Sequence, residues 1–434
     1  MNRETITIDH LYRVEGHGGI TVAVDETGIQ SCQMEIFEGA RFYEVLLKGK
    51  LAKDAPGIVC RVCSICSAGH TLGSVMALEN ALGISVSQGV AQFRALLNLG
   101  QFIESHALHL FALAAPDYLG DASILDMAAR FPEQVHKGLE IKRVGNLIQE
   151  VVGGRAIHPV NIVVGGLGRR PAKQAMQALH ASVQNALDLA LSLQGFIASL
   201  ENPSMGLQPP ILVALRPDGD HYALQGSHLA ATGHADIPVE QFYARVNEKV
   251  VRHSTAKQST YAKQPFMVGA LARVVHNGER LKGEAAKLRD ALLPVDVSTL
   301  HNNAAQFIEL IWALEEAVVL TEQLQDGPEL TAPMTALGFE GEQTGLSALE
   351  VPRGTLYHLY GVDGDGVLTQ ADIITPTAQN LAHVERDFAH GVGHWLAQAQ
   401  RQQETLRLHL EMIARAYDPC ISCSTHLVDL TVHT

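Results

Sequence analysis

The chain has 434 residues, 47% of them hydrophobic, and its 46 acidic against 32 basic residues give a net charge of -14, which would repel a nucleic-acid backbone. It has no run of eighteen uncharged apolar residues and no apolar stretch at its start, so we expect neither a membrane span nor an export signal. Six cysteines are too few for a secreted disulfide scaffold, which favours a reducing, cytoplasmic location.

Hydrophobic periodicity predicts an α+β fold, a large helix bundle with a small N-terminal β-sheet and peripheral hairpins. Apolar and polar residues alternate over 1–40, which predicts the sheet. Apolar residues then recur every three or four positions and predict helices at 43–48, 68–82, 90–113, 125–152, 171–200, 271–293, 304–324 and 379–416. Between these, 203–270 is predicted as loops and short strands, and 354–374 as a hairpin turning at 363–366.

No repeat or long linker interrupts the pattern, so we predict a single domain over 1–434. Its successive parts are a β-rich segment at 1–40, a helical one at 41–200, an irregular α/β one at 203–270, a helical one with a hairpin at 271–426, and a tail at 427–434.

Two Cys-x-x-Cys steps lie near opposite ends of the chain, Cys63 with Cys66 and Cys420 with Cys423. Two intervening residues let both sulfurs turn toward one metal ion at the end of a loop or in the first turn of a helix. Thiolates select soft or borderline transition metals, and a bound metal keeps them deprotonated near neutral pH. The two pairs are therefore candidate halves of a metal site.

A Cys-x-x-Cys step is also compatible with a redox dithiol, half of a structural zinc site, or chance. Zinc ribbons and fingers usually place their pairs within about 15–20 residues of each other, because the metal is the core of a small module. Here about 350 residues intervene, and a chain of this size needs no metal to hold its core. A functional metal is favoured, and structural zinc is the main alternative.

The residues around both pairs resemble the two signature motifs of nickel–iron hydrogenase large subunits. The motifs here are Arg61-x-Cys63-x-x-Cys66-x-x-x-His70 and Asp418-Pro419-Cys420-x-x-Cys423-x-x-His426. Similar segments at 13–17, 43–49, 153–159 and 352–356 extend the resemblance over nearly the whole chain. Ser64 replaces the glycine of many members and is similar to the cytoplasmic, nicotinamide-linked bidirectional members, NADP-type before NAD-type.

The resemblance implies that all four cysteines bind nickel, and that Cys66 and Cys423 also bridge to an iron carrying carbonyl and cyanide ligands. Cys63 and Cys420 would be terminal ligands. A terminal thiolate keeps an exposed lone pair, so Cys420 is expected to accept the proton when H2 is split heterolytically. The implied activity is reversible H2 oxidation and proton reduction.

The resemblance also implies roles for charged residues near the metals. Glu15 matches a carboxylate beside Cys423 and would be the first proton relay. Arg353 would point its guanidinium at the diatomic ligands and the open face of the iron. Asp117 is aligned with a carboxylate above the metals. The ordinary alternatives are a surface carboxylate for Glu15 and a turn residue for Arg353.

Three further residues are expected around the cofactor. Pro376 and Thr377 match a segment that lines and hydrogen-bonds the cyanides. His70 matches a donor to a cysteine sulfur, although a lone helical histidine is more often simply packed or solvated.

A second metal is implied by Glu44, His426 and the backbone carbonyl of Ile373, which correspond to a buried Mg2+ site. In the family a protease cuts after the histidine that matches His426 once nickel is inserted, which here would remove 427–434. The maturation protease and nickel-insertion factors are thus expected partners.

Electron transfer requires other subunits. Once four cysteines bind the metals, Cys32 and Cys60 remain, whereas a common Fe–S cluster needs four thiolates. The sequence has no dinucleotide-binding glycine motif and no phosphate-binding loop. The resemblance therefore implies diaphorase-type partners and an obligate iron–sulfur small subunit, which together would carry the Fe–S clusters, the flavin and NAD(P).

Two other functions stay open at this point. One is an electron-transfer subunit of the respiratory complex I type, which shares ancestry with these large subunits but lacks H2 chemistry; retention of all four cysteines argues against it. The other is a scaffold with structural zinc.

Overall fold

The computed structural model describes residues 4–39, 41–326 and 337–425. Helices are its main elements, and the predicted α+β fold is confirmed. In chain order the helices are α1 Tyr43–Leu47, α2 Ala55–Val59, α3 Ser67–Leu82, α4 Gln88–Leu108, α5 Ala115–Leu119, α6 Ile124–Arg130, α7 Pro132–Gly153, α8 Lys173–Ser192, α9 Gln194–Ala198, α10 Phe242–Arg245, α11 Ala270–Asn277, α12 Gly283–Leu292, α13 Asn302–Gln323, α14 Pro376–Leu396, α15 Gln403–Ala416 and α16 Ile421–Ser424.

The strands within the described ranges form small antiparallel sheets ordered β1-β2-β3, β4-β5, β6-β7-β8, β9-β10 and β11-β12-β13. Their bounds are β1 Glu4–Ile8, β2 Gly18–Asp25, β3 Gly28–Ile36, β4 Ile162–Val163, β5 Gly166–Leu167, β6 Val213–Arg216, β7 His228–Ala231, β8 Ile237–Pro238, β9 Val246–Val250, β10 Lys257–Tyr261, β11 Gln343–Val351, β12 Gly354–Val362 and β13 Leu368–Ile374. Strands β6 to β10 occupy the segment predicted as loops and short strands.

The N-terminal sheet follows from the alternation of apolar residues along β2. Val22 and Val24 point into the core and are nearly fully buried, as a period of two residues predicts. In the turn after β2, Asp25 accepts a hydrogen bond from the backbone N–H of Thr27 at 2.8 Å. The predicted sheet is therefore present.

Helices α3, α4, α7, α8 and α13 pack around a continuous apolar core. A side chain at Gly145 would meet the carbonyl oxygen of Gly100 at 2.7 Å, so α7 and α4 approach each other closely at this point. A helical glycine costs roughly 1 kcal/mol relative to alanine. The close contact between the two helices explains why this cost is tolerated.

The prediction of one helix over 125–152 is wrong. The segment divides at Phe131, whose φ of -129° and ψ of 55° lie outside the helical region, and α7 begins at Pro132. Proline has no N–H to donate and disfavours the helical conformation of the residue before it.

The prediction of one helix over 379–416 is also wrong. Helix α14 ends at Leu396, and α15 begins only at Gln403, after a mostly exposed polar stretch. The indole of Trp395 donates to the carbonyl oxygen of Gln402 at 3.1 Å and so holds the two ends of this break together.

The hairpin predicted for 354–374 is part of a three-stranded sheet. Its turn lies where it was expected, because Asp363 accepts hydrogen bonds from the N–H groups of Asp365 and Val367 at 3.0 and 2.9 Å. The additional strand is β11, in which Ser347 interrupts the apolar pattern. Its hydroxyl donates to the carbonyl of Gly73 at 2.7 Å, so β11 lies against α3.

No helix in the described ranges is long and apolar enough to cross a membrane. Segments far apart in the chain instead converge at one place: the loop before α3, the turn between β11 and β12, the start of α14, and α16. Glu15 and Cys420 form a parallel bridge there, in which the N–H of Ile421 donates to the carbonyl of Glu15 at 3.0 Å.

Candidate metal centre

The four cysteines sit at the beginnings of two helices. Cys63 lies in the loop before α3 and Cys66 is the residue that precedes its first turn, while Cys420 and Cys423 lie at the start of α16 and within it. The positive end of the α3 dipole favours a thiolate at Cys66. We call these four residues the cysteine cluster.

The sulfur positions fit a metal. Cys420 Sγ lies 2.9 Å from the Sγ of Cys423, 3.4 Å from that of Cys63 and 3.6 Å from that of Cys66, and all four sulfurs lie within 4.8 Å of one another. Thiolates that each lie about 2.3 Å from one ion can be at most roughly 4.6 Å apart, which is close to the spacing of these four sulfurs. All four residues are buried and free of disulfides. The cluster thus has the donors and spacing that nickel bound by thiolates requires.

The thiols of the cluster differ in acidity. Burial raises the pKa of Cys420 and of Cys423 well above that of an ordinary thiol. Hydrogen bonds from these two thiols lower the pKa of Cys63, and they lower that of Cys66 together with the charge of Arg353. A bound cation would displace the remaining protons and hold all four sulfurs as thiolates.

Arg353, in the turn between β11 and β12, is buried beside the cluster. Its Nη1 lies 3.4 Å from Cys66 Sγ, its Nε donates to the Asp418 carbonyl at 2.7 Å, and its Nη2 donates to the Asp418 carboxylate at 2.9 Å. The other oxygen of Asp418 accepts from Gln306 at 3.1 Å. These bonds fix the plane of the guanidinium. The sequence reasoning missed Asp418, although its place two residues before Cys420 was a signal.

A small enclosed cavity adjoins the sulfurs. It is lined by Cys66, His70, Val351, Arg353, Leu356, Pro376, Thr377, Cys420 and Cys423. Pro376 and Thr377 are the first residues of α14, and Thr377 Oγ1 accepts a hydrogen bond from the N–H of Cys420 at 2.9 Å. The structure thus brings Pro376 and Thr377 to the cluster.

Glu15 lies next to Cys420. Its Oε2 is 3.3 Å from Cys420 Sγ and accepts a hydrogen bond from the N–H of Ser422 at 3.0 Å. The Ser422 hydroxyl donates to the other carboxylate oxygen. Glu15 was expected beside Cys423, and the sulfur that it contacts is that of Cys420.

Asp117 is buried, but its described partners are two arginines. Arg415 donates to it through Nε at 2.6 Å and Nη2 at 2.8 Å, and Arg13 donates to the same carboxylate. The carboxylate that pairs with Arg353 is instead Asp418. The expected place of Asp117 above the metals therefore stays a prediction.

His70 begins a chain of buried polar side chains. Its Nε2 lies 3.7 Å from Cys423 Sγ and its Nδ1 lies 3.2 Å from His358 Nε2. His358 Nδ1 lies 2.8 Å from the Tyr360 hydroxyl, which is 3.0 Å from that of Ser74. Burial lowers the pKa of His70 to about 4, so its ring is neutral at physiological pH.

Glu44 is fully buried in α1. Its Oε1 accepts a hydrogen bond from the N–H of Ile373 at 3.1 Å, and its Oε2 has no hydrogen-bond partner among the described residues. Burial raises the pKa of Glu44 to about 7. Such an orphaned buried oxygen suits a cation. His426, the third residue predicted for the magnesium site, lies outside the described residues.

Arg273 is a second residue that sequence reasoning missed. Its guanidinium forms a two-pronged ion pair with Glu309 at 2.6 and 2.7 Å and a second pair with Glu350 at 2.9 Å. It also donates to the carbonyls of Val351 and Pro352 at 3.0 and 2.9 Å. Arg273 therefore holds the turn that presents Arg353 to the cluster. A single arginine within the helical pattern of α11 gave no signal of this role.

The chain matches a family model described as nickel-dependent hydrogenase over residues 41–137 and 225–426, and a model described as HoxL-like over 5–38. The chain belongs to the nickel-dependent hydrogenase family, as a catalytic large subunit whose reaction is the oxidation of H2 or the reduction of protons.

Among its relatives is the alpha subunit of sulfhydrogenase 1 of Pyrococcus furiosus, 38% identical over 432 residues, which cover 98% of each chain. A second relative is a subunit of the F420-non-reducing hydrogenase vhu of Methanococcus voltae, 31% identical over 88% of this chain and 96% of its own length. Among solved structures, an NAD+-reducing [NiFe]-hydrogenase in the H2-reduced state is similar with a TM-score of 0.87 and 26% identity, covering 98% of this chain and 99% of the other.

Proposed function

We propose that the cysteine cluster holds a nickel–iron centre at which this chain splits H2 heterolytically and reversibly. The observation that carries the proposal is the set of four buried sulfurs within 4.8 Å of one another. When bound, the metal centre supplies the Lewis acidity and electron-accepting capacity that the reaction needs. The residues that line the cavity beside the cluster would contact the carbonyl and cyanide ligands of its iron.

The residues around the metal centre have separate proposed roles. By resemblance to the family, Cys66 and Cys423 would bridge to iron, and Cys63 and Cys420 would be terminal ligands. Arg353 directs N–H donors toward the cavity, where anionic cyanide suits a planar guanidinium. Pro376 and Thr377 line the same cavity, and Thr377 Oγ1 accepts a hydrogen bond from the backbone N–H of Cys420.

Cys420 and Glu15 are the proposed proton path. Cys420 Sγ would accept the proton of H2 while the metal centre takes up the electron pair of the broken H–H bond, and the proton would then pass to Glu15 Oε2, 3.3 Å away. Ser422 holds that carboxylate from both its N–H and its hydroxyl, so that Glu15 stays aimed at the sulfur.

Metal analysis and infrared spectroscopy of the matured protein test this proposal. Nickel and iron in equal amounts, with infrared bands from carbonyl and cyanide, are expected. Zinc alone, or a matured sample without metal, would contradict it and support the scaffold or complex I-type alternatives.

Replacing Glu15 with glutamine is expected to leave nickel and iron bound while slowing proton exchange between H2 and deuterated water by roughly 100- to 10,000-fold, because an amide cannot relay the proton. Mass spectrometry of the HD formed measures this. Glu411→Gln is the matched control, because that carboxylate pairs with Arg415 and is partly exposed. Exchange at the unaltered rate in Glu15→Gln would remove the residue from the path.

We also propose a structural Mg2+ bound by Glu44, the carbonyl of Ile373 and His426. It is supported by the unpartnered Oε2 of buried Glu44 and by a hydrogen bond from Arg41 N–H to the carbonyl of Thr425 at 2.6 Å, which brings the end of the described chain close to α1.

Mg2+ is therefore expected to stabilise the protein against heat, by about 2.7 kcal/mol at a hundredfold excess over its Kd. Glu44→Gln removes the charge that Mg2+ binds and should abolish this gain, whereas the exposed carboxylate variant Glu284→Gln should retain it. Differential scanning fluorimetry with and without Mg2+ measures the effect. An equal Mg2+ response in Glu44→Gln would contradict the site.

The electrons are proposed to leave through an iron–sulfur small subunit to NADP or NAD on flavin-containing partners, in the cytoplasm. Within the described ranges the cysteine cluster is the sole group of three or more metal-binding side chains, so a further electron carrier requires another subunit. The similar NAD+-reducing hydrogenase and the free state of all six cysteines support this proposal. Purifying the native complex and measuring H2-dependent reduction of each nicotinamide tests it, and activity with a dye but neither nicotinamide would contradict it.

A further inference from the structure

A chain of four buried side chains runs away from the cysteine cluster, beginning at Cys423 rather than at the Cys420 sulfur that contacts Glu15. It consists of His70, His358, Tyr360 and Ser74, each within 3.2 Å of the next. Each of the four is at most 1% exposed. No described member reaches the surface, so the chain is poorly suited to carry protons out of the protein.

The direction of each hydrogen bond along the chain is set by Cys423, the sulfur at which the chain begins. The proposed function makes Cys423 a metal-bound thiolate, and such a sulfur can only accept a hydrogen bond. His70 must then carry its proton on Nε2, which leaves a lone pair on Nδ1. His358 must donate from Nε2 to that lone pair.

His358 and Tyr360 form the next step of the chain. With its proton on Nε2, His358 has a lone pair on Nδ1, which must accept from the hydroxyl of Tyr360 at 2.8 Å. Burial raises the pKa of Tyr360, so that hydroxyl keeps its proton. The hydroxyl of Ser74 lies 3.0 Å from that of Tyr360, and because hydroxyl hydrogens rotate, Ser74 can donate to Tyr360 once Tyr360 donates to His358.

We propose that His358 and Tyr360 are positioning residues that fix the tautomer of His70, so that its Nε2–H always faces the Cys423 thiolate. This inference rests on the proposed function. A hydrogen bond to a metal-bound thiolate withdraws electron density from it, so the chain tunes the electron donation of one sulfur among four.

The packing around His358 favours the hydrogen bond between its ring and that of His70. His358 and Tyr360 are two residues apart in β12 and face the same side of the sheet, toward α3. A side chain at Gly73 would lie 2.8 Å from the His358 ring, so α3 carries a glycine where the ring fits. The rings of His70 and His358 meet edge to face, with centroids 5.4 Å apart. These contacts restrict the orientations of the His70 and His358 rings.

His358→Phe is expected to lose the donor to His70 and free its tautomer. Cys423 then donates more electron density to iron, so the carbonyl infrared band should move to lower frequency, and H2-dependent dye reduction should fall by roughly 10- to 100-fold. Tyr360→Phe should shift the band in the same direction by a smaller amount. His358→Gln should restore both values toward those of the wild type, because the amide can donate to His70 and accept from Tyr360.

Tyr357→Phe is the matched control. Tyr357 lies on the same strand but on the opposite face, stacked on Phe242 with ring centroids 3.7 Å apart. Its carbonyl band should not move.

Nickel and iron are measured in every variant. A His358→Phe or Tyr360→Phe protein with full metal content and an unshifted carbonyl band would overturn the inference, as would an equal shift in Tyr357→Phe. If His358→Phe fails to fold, Tyr360→Phe, which loses a single oxygen, decides between the two outcomes. A wild-type protein without nickel, iron and infrared bands would instead refute the proposed function.

Discussion

Replacing Cys420 with serine is expected to abolish H2-dependent dye reduction. The Sγ of Cys420 lies within 3.6 Å of each of the other three sulfurs and is also in contact with Glu15. A serine hydroxyl is a harder ligand that stays protonated near neutral pH, so the variant loses both a nickel ligand and the proposed proton acceptor. The loss should exceed the roughly 10- to 100-fold decrease expected when only a hydrogen-bond partner of a ligand is removed.

Cys32→Ser is the control for this experiment. Cys32 is half-buried in β3, and burial raises the pKa of its thiol to about 12, so it is poorly suited to bind a metal. This variant should keep both its metals and its activity. Activity retained by Cys420→Ser with nickel still bound would refute the ligand role of Cys420.

Replacing Arg273 with methionine is expected to have the largest effect on stability. The change removes the arginine that pairs with buried Glu309 and Glu350 and leaves Glu309 with His106, 3.0 Å away, as its remaining basic partner. Breaking a buried ion pair from one side costs about 3–5 kcal/mol. It also removes the donors to the carbonyls of Val351 and Pro352, so the turn that carries Arg353 should loosen. The thermal unfolding midpoint of the purified complex should fall by several degrees.

The pH dependence of the Arg273→Met variant provides a second measurement. Burial alone would raise the pKa of Glu309, but the charge and hydrogen bonds of Arg273, with a smaller contribution from His106, lower it from 4.5 to about 2. In the wild type this contributes stability that is present above about pH 4.5 and lost as the pH falls toward 2. In the variant burial dominates, so stability should instead rise as the pH falls from 7 toward 5.

Lys173→Met is the matched control, because Lys173 forms an exposed ion pair with Asp326. Its effect should stay below about 1 kcal/mol. A midpoint of Arg273→Met as high as that of Lys173→Met would show that the buried network does not hold the fold.

The cysteine pairs were predictable from the sequence because their chemistry depends on short spacings within each motif. The distances among the four sulfurs were not, since they depend on contacts between segments some 350 residues apart. The contact between Asp418 and Arg353 was not predictable either, because it depends on the local backbone conformation of Asp418. Its φ of 49° is a conformation that few side chains other than asparagine and aspartate adopt, and it turns the carboxylate toward Arg353.

The helical pattern predicted a helix from 90 to 113, but α4 passes at its end into a π-helical turn, His109–Ala114. Such a turn takes up extra residues and rotates the next segment around the helix axis. Asp117 comes soon after it and pairs with Arg13 and Arg415. A period of 3.6 residues cannot reveal this rotation, so the partners of Asp117 could not be read from the sequence.

The separation of the two cysteine pairs also sets the timing of assembly. At roughly 5–20 residues per second, a ribosome needs about 20–70 s to progress from Cys66 to Cys420. During that interval the growing chain displays one dithiol, which can bind stray zinc or be oxidised, and lacks the sulfurs that would complete the centre. Newly made chains pulsed with a thiol-reactive label should therefore be modified at Cys63 and Cys66 before they are modified at Cys420 and Cys423.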